Sequence, residues 1–167
     1  LRLDIPCLSS GCCLKFQEKA QENYGEIIQY ILLAEKLGTP YIRVLADSAP
    51  DPQGEVDDAI VVAALKRLAP MAEKHGVTLL VETNGVYCDT ARLCGVLNSV
   101  ASDAVAALWD IHHPYRYAGE TPAQTVKNLG AYIKYVHVKD SVMEDGVTRY
   151  RMMGEGDLPL ADMMFAL

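Results

Sequence analysis

Three short apolar runs in this sequence each carry an ionisable residue at or near their ends. VTLLVE closes on Glu82, AVAALWD closes on Asp110, and YVHVKD carries His137. The residues after each run are also mostly polar: Glu82-Thr83-Asn84-Gly85, Asp110-Ile111-His112-His113 and His137-Val138-Lys139-Asp140. Burying a lone carboxylate at such a place is costly unless it is paired or bound to a metal. If the runs are parallel strands, spaced about 4.8 Å apart, side chains from one rim can reach a common ion. Two carboxylates and an imidazole give a mixed oxygen and nitrogen ligand set with no thiolate. That set suits Mn²⁺, Co²⁺, Mg²⁺ or Zn²⁺. A metal there polarises the oxygens of a hydroxy-ketone or aldehyde. A neighbouring carboxylate then moves a proton on the carbon beside the carbonyl.

Each position has a plainer reading as well. A Glu after a strand serves as a helix cap or an ion-pair partner, and His137 inside an apolar run can be a buried structural residue. His75 precedes Gly76 at a helix end, where the dipole favours a cation, and reads as structural. His113 lies three residues after Asp110 and can turn back over the site, whereas His112 is expected to point elsewhere. Met152, Met153, Met163 and Met164 read as core filling.

The elements that must position these groups can be read from periodicity. A first strand is expected at Leu1–Leu8, with a turn at Ser9-Ser10-Gly11. A helix comes next over Lys19–Leu37, with Ile27, Ile28, Ile31 and Leu32 on one face, and Gly38 ends it. The second strand is Tyr41–Leu45, followed by a polar turn at Asp51–Gly54. A second helix spans Val56–His75, with Pro70 expected to bend it. The third strand is Val77–Glu82, the third helix Thr90–Val100, and the fourth strand Ala104–Asp110. A fourth helix spans Pro122–Leu129, the fifth strand is Tyr135–Lys139, and another helix begins near Leu158. Strands alternating with helices in units of this size are the pattern of βαβ units and a parallel sheet. An open doubly wound sheet and a (β/α)8 barrel both satisfy it. No GxGxxG stands after the first strand, which removes the simplest reason for a dinucleotide fold. A whole barrel needs about 250 residues, so a barrel reading makes these 167 residues part of one.

Composition fits a single α/β domain over 1–167: half the residues are hydrophobic and 22% are charged. The net charge of −7 argues against a basic nucleic-acid surface. No apolar run approaches the roughly 18–20 residues of a membrane span. The N-terminal LRLDIPCLSSGCC lacks the regions of a signal peptide, and its missing initiator Met suggests a trimmed chain or a fragment. The five cysteines, Cys7, Cys12, Cys13, Cys88 and Cys94, have no CxxC spacing. They are expected to be reduced thiols in a cytoplasmic protein.

The ordered set of Glu, Asp-x-x-His and His-x-Lys-Asp resembles the xylose isomerase-like TIM-barrel superfamily of sugar-phosphate isomerases and epimerases. The resemblance runs through AEKLGTPYIRV, LAPMAEKHGVTLLVETN, WDIHHPYRYAGETP, YVHVKD and GEGDLPL. It implies a partial (β/α)8 barrel that lacks the first two strands and the last. It implies that Glu82, Asp110 and His137 are three of four metal ligands, the fourth being a Glu after an eighth strand. By the same resemblance Glu82 is one of two glutamates that exchange the substrate proton, through an enediolate, and His113 contacts substrate. Asn84, Arg116 and Lys139 are further candidates for substrate contact, the substrate being a small sugar or sugar phosphate. A keto-inositol dehydratase shares the same metal chemistry. The abasic-site DNA endonuclease of this superfamily is a rival. Against it, RVLADSAP carries no histidine, and TRYRMMGEG places Thr148 and Tyr150 where that branch has an Asp-x-His. A non-catalytic fragment is a third reading, since open sheet edges favour pairing with another chain and hence a homo-oligomer.

Overall fold

The computed structural model describes residues 3–167. Five parallel strands form one sheet in sequence order: β1 (Cys7–Cys13), β2 (Tyr41–Leu45), β3 (Thr78–Glu82), β4 (Val105–Asp110) and β5 (Ile133–His137). The helices α1 (Ala20–Leu37), α2 (Asp58–Lys74), α3 (Thr90–Val100) and α4 (Pro122–Leu129) connect them in turn. A short antiparallel hairpin, β6 (Asp140–Glu144) and β7 (Val147–Arg151), comes after β5, and α5 (Leu160–Phe165) ends the order.

Strand residues alternate between the two faces of the sheet. One face carries Ile42, Val44, Leu79, Val81, Val105 and Ala107, packed in a single cluster with Ile27 and Ile31 of α1, Leu65 of α2 and Leu93 and Leu97 of α3. Each Val, Leu and Ile side chain among these contributes roughly 1.5–3 kcal/mol on burial. The other face holds a small cluster of Leu80, Ala106 and Leu108, with Tyr41 and Tyr135 against it. Helices on one face only, with strands in sequence order, make a section of a (β/α)8 barrel and exclude a doubly wound sheet, which carries helices on both faces. The second face is therefore the barrel interior.

The helix ends obey local rules. Asp57 accepts the Ala59 N–H at 2.9 Å and starts α2. Asp89 accepts the Arg92 N–H at 3.0 Å and starts α3. Pro70 lies inside α2, which runs on to Lys74.

Several expectations need correction. Leu1 and Arg2 lie outside the described residues, and residues 3–6 are not in a strand. The first strand instead includes Ser9-Ser10-Gly11, expected as a turn. Ser9 pairs with Arg43 and Cys13 with Leu45, so a bulge absorbs the extra residues of β1. The Ser10 hydroxyl and carbonyl both bond Arg43, at 3.1 and 2.9 Å, which ties this polar stretch into the sheet. The fifth strand begins two residues earlier than expected and ends at His137, the last residue paired with β4. The β6–β7 hairpin was not foreseen. Of the four methionines expected to fill the core, Met163 does so, while Met152, Met153 and Met164 are exposed. All five cysteines are free thiols. No helix among the described residues is long and apolar enough to cross a membrane.

Candidate metal centre

The alternation that sends Leu80 and Leu108 into the barrel interior sends Glu82 and Asp110 the same way, two residues on. Tyr135 and His137 repeat the pattern on β5. Register completes the convergence, with Glu82 beside Leu108 and Asp110 beside His137. One ligand atom each from Glu82, Asp110 and His137 lie within 4.8 Å of one another. Thr83 locks the two strand ends together: its hydroxyl accepts the Asp110 N–H at 2.9 Å and donates to the Asp110 carbonyl at 3.2 Å.

The charges here are only partly compensated. Glu82 is 6% exposed. Its Oε1 accepts from His137 Nδ1 at 3.0 Å, and its Oε2 lies 3.3 Å from Arg43 Nε. Burial alone would raise its pKa, but the His137 hydrogen bond and the Arg43 charge outweigh that and hold it below the ordinary value. A neutral His137 that donates from Nδ1 keeps its Nε2 lone pair free. Asp110 is fully buried. Its Oδ1 accepts the His112 N–H at 3.0 Å. Its Oδ2 has no aligned hydrogen-bond donor, although the Lys139 ammonium lies 2.7 Å away.

His113 turns back over the site, as its spacing predicts. The Thr83 carbonyl can only accept, so His113 Nδ1 carries the proton in their 2.9 Å contact. Its Nε2 therefore presents a lone pair, 3.1 Å from Lys139 Nζ and 3.8 Å from Asp110 Oδ2. Burial and the nearby Lys139 charge lower its pKa, against the pull of Asp110, and the ring is neutral. His112 is fully buried and bonds the Ser141 hydroxyl at 3.0 Å. Burial first, then the neighbouring His113 ring and the Lys139 and Arg116 side chains, push its pKa down to about 3. A ligand atom of His112 still lies within 4.8 Å of those of Asp110 and His113, closer to the centre than its expected outward course.

Asn84 and Arg116 reach the rim but are engaged by protein. Asn84 Nδ2 donates to the Asp47 carbonyl at 2.8 Å. Arg116 donates to the Ser141 hydroxyl and carbonyl at 2.9 and 2.6 Å and pairs with Asp157. Arg43 was missed in the sequence. Its signal is an arginine inside the apolar run YIRVL, at a position alternating with the apolar residues that face the helices. His75 pairs with Glu35 at 3.0 Å, a structural contact as expected.

Two further buried aspartates fix the rim. Asp47 is fully buried; its Oδ1 accepts from Lys15 Nζ and the Ser48 N–H, both at 2.6 Å, and its Oδ2 accepts the Val86 N–H at 2.9 Å. Burial would raise its pKa, but Lys15 and the two N–H donors outweigh that and lower it. Gly85 sits against Asp47 with φ of 58°, and a Cβ there would lie 2.2 Å from Asp47 Oδ2. Asp140 accepts three backbone N–H groups, from Ser141 at 2.8 Å and from Gly154 and Gly156 at 2.9 Å. It thereby holds the GEG turn against the start of the β6–β7 hairpin.

A divalent ion fits this arrangement. The three ligand atoms converge, the donor set is the mixed one such ions take, and Asp110 Oδ2 is a buried acceptor with no aligned donor. Such buried groups are rare. A second group of possible ligands, Asp110, His112 and His113, shares Asp110.

No curated protein sequence matches the chain. Among solved structures, a xylose isomerase-like TIM barrel protein from Mycobacterium smegmatis, in complex with magnesium, superposes with a TM-score of 0.80 at 17% identity, over 98% of this chain and 62% of that one. The IolI protein with a bound zinc atom gives 0.78 at 18% identity, over 96% and 61%. A D-allulose 3-epimerase from Methylomonas sp., in complex with D-allulose, gives 0.74 at 19% identity, over 96% and 57%. The chain thus spans about three-fifths of the length of these structures, and at such identities they show the fold. Residues 3–167 match the family described as xylose isomerase-like TIM barrel. With a sheet whose strands run in sequence order, helices on its outer face and ligand-type residues on the inner rim, the chain belongs to the xylose isomerase-like TIM barrel family.

Proposed function

We propose that this chain carries most of the active site of a divalent-metal-dependent isomerase or epimerase acting on a small sugar or sugar-derived hydroxy-ketone. The observation that carries this reading is the convergence of Glu82, Asp110 and His137 within 4.8 Å. The fold likeness to a D-allulose 3-epimerase supports the choice of substrate class. Glu82, Asp110 and His137 hold the ion, as Mn²⁺, Co²⁺, Mg²⁺ or Zn²⁺. When bound, the ion supplies Lewis-acid stabilisation of negative charge on adjacent substrate oxygens.

The chain's own groups do the rest. The Glu82 carboxylate, held ionised by His137 and Arg43, takes the proton from the carbon beside the carbonyl, and the C–H electrons move into an enediolate. His113 is neutral and directs Nε2 into the site, where it hydrogen-bonds a substrate hydroxyl. Lys139 faces the same space, with Asn84 and Arg116 at its rim. Epimerisation needs the proton returned on the opposite face. The resemblance assigns that step to a second glutamate on a further strand, which we place outside these 167 residues.

The full-length protein, stripped by chelator and reloaded with Mn²⁺ or Co²⁺, is expected to epimerise or isomerise a member of a ketose panel. No activity on ketoses, with incision of abasic-site DNA instead, would replace this reading with the nuclease.

A further inference from the structure

Lys139 holds a position that a substrate-binding residue alone does not explain. Its ammonium lies 2.7 Å from Asp110 Oδ2 and 3.1 Å from His113 Nε2. Asp110 Oδ2 is the carboxylate oxygen that no aligned hydrogen bond satisfies. The ammonium therefore sits against the atom that a divalent ion needs most. An ammonium and a divalent ion cannot share one carboxylate oxygen at such distances without strong like-charge repulsion.

The geometry also gives Lys139 somewhere to go. Its side chain is 30% exposed, and it comes from the two residues between β5 and β6, not from a strand. The ring of Tyr150 on β7 faces it, with Nζ 5.9 Å from the centroid. That is within the range of a cation–π contact. Tyr150 itself is 56% exposed, so the path is open to water. Arg43, by contrast, lies inside β2 and is held by the Ser10 carbonyl at 2.9 Å. That bond ties it beside Glu82, 3.3 Å from Oε2.

We infer that Lys139 is a tethered counter-ion of the metal centre. It neutralises Asp110 and competes with the divalent ion for Oδ2, and it swings towards Tyr150 and solvent when the ion binds. The inference rests on the reading of Glu82, Asp110 and His137 as metal ligands. It makes metal affinity a balance between ligation of Asp110 and displacement of a built-in cation. Truncating the cation therefore strengthens metal binding, the reverse of what loss of a ligand does.

The test is calorimetric titration of the full-length, chelator-stripped protein with Mn²⁺, for wild type, Lys139→Met and Asp110→Asn. Lys139→Met is expected to bind on the order of tenfold more tightly, the factor that corresponds to about 1.4 kcal/mol, and Asp110→Asn is expected to lose binding. In parallel, reductive methylation read by mass spectrometry is expected to modify Lys139 slowly without Mn²⁺ and faster at saturating Mn²⁺. If Asp110→Asn loses binding while Lys139→Met binds no more tightly than wild type, the counter-ion role fails and the ligand set stands. If Asp110→Asn binds as wild type does, both fall. Should Lys139→Met not fold, the methylation of wild type decides: a rate at Lys139 that Mn²⁺ does not raise overturns the inference.

Discussion

Asp47 and Asp110 are both fully buried carboxylates at the same rim of the sheet, yet their surroundings differ in kind. Asp47 accepts from Lys15, Ser48 and Val86, so both its oxygens are satisfied. Asp110 has one satisfied oxygen and one without an aligned donor. Burying an ionised carboxylate is expensive, and a protein offsets the cost by supplying donors. At Asp47 the donors hold one loop to another, and their work ends with the fold. At Asp110 the second oxygen has no aligned donor and faces only the Lys139 ammonium, 2.7 Å away on a side chain that is 30% exposed, an arrangement that suits the exchange of one cation for another that we propose. Asp140, with three backbone donors, belongs with Asp47. The number of donors thus separates the carboxylates that build the rim from Asp110, the one we propose as a ligand.

That contrast breaks most readily at Glu82, the other carboxylate of the centre. Glu82→Gln is expected to cut turnover about 10³-fold or more, roughly 4 kcal/mol of transition-state stabilisation, with the thermal midpoint little changed. Initial rates with Mn²⁺ check it, and turnover within a few-fold of wild type would remove Glu82 as the base.

The reverse pattern is expected at Asp47. Asp47→Ala leaves Lys15 without its partner and frees the Ser48 and Val86 N–H groups. A loss of about 3 kcal/mol is expected, at the low end for broken buried pairs, because Lys15 is 16% exposed. Urea denaturation measures this, and a shift well under 1 kcal/mol would show that the latch holds nothing. Gly85→Ala probes the same contact from the other side. Its left-handed backbone and the 2.2 Å approach to Asp47 predict a loss of about 1–3 kcal/mol.

The smallest effect is in pH. Asp47 has a folded pKa below its ordinary value of 3.8. Its contribution to stability is complete above that value and fades as pH falls through the lower folded pKa. Asp47→Asn is therefore expected to flatten the acid limb of the stability curve below about pH 4, relative to wild type. An unchanged limb would mean that Asp47 is not held ionised by its donors.

The candidate ligands Glu82, Asp110 and His137 stood out in the sequence because their chemistry contradicts their setting: an ionisable residue that closes an apolar run needs a reason, and the fold brings these three together. The five strands and four crossover helices were legible from periodicity, with α3 and α4 expected at the bounds they have. β1 was displaced because Ser9-Ser10-Gly11 has turn composition, and pairing with β2, more than thirty residues away, with the Ser10–Arg43 bonds, makes it a strand. Such a pairing has no local trace. The β6–β7 hairpin did leave one. Asp145-Gly146, both at positive φ, form the two-residue turn between Glu144 and Val147, the strongest short-range hairpin signal a sequence carries. The donor counts at Asp47 and Asp110 could not be read at all, since they depend on which loop N–H groups the fold brings near.

The central claim is that Glu82, Asp110 and His137 hold a divalent ion and that Asp47 does not. Titration of the full-length protein with Co²⁺, followed by visible absorption, tests it directly in wild type, Asp110→Asn and Asp47→Asn. The expected result is one Co²⁺ bound by oxygen and nitrogen donors, without a thiolate charge-transfer band. Asp110→Asn should lose the ion and keep its thermal midpoint, while Asp47→Asn should keep the ion and melt earlier. Undiminished Co²⁺ bands in Asp110→Asn, or a thiolate band in wild type, would contradict the account.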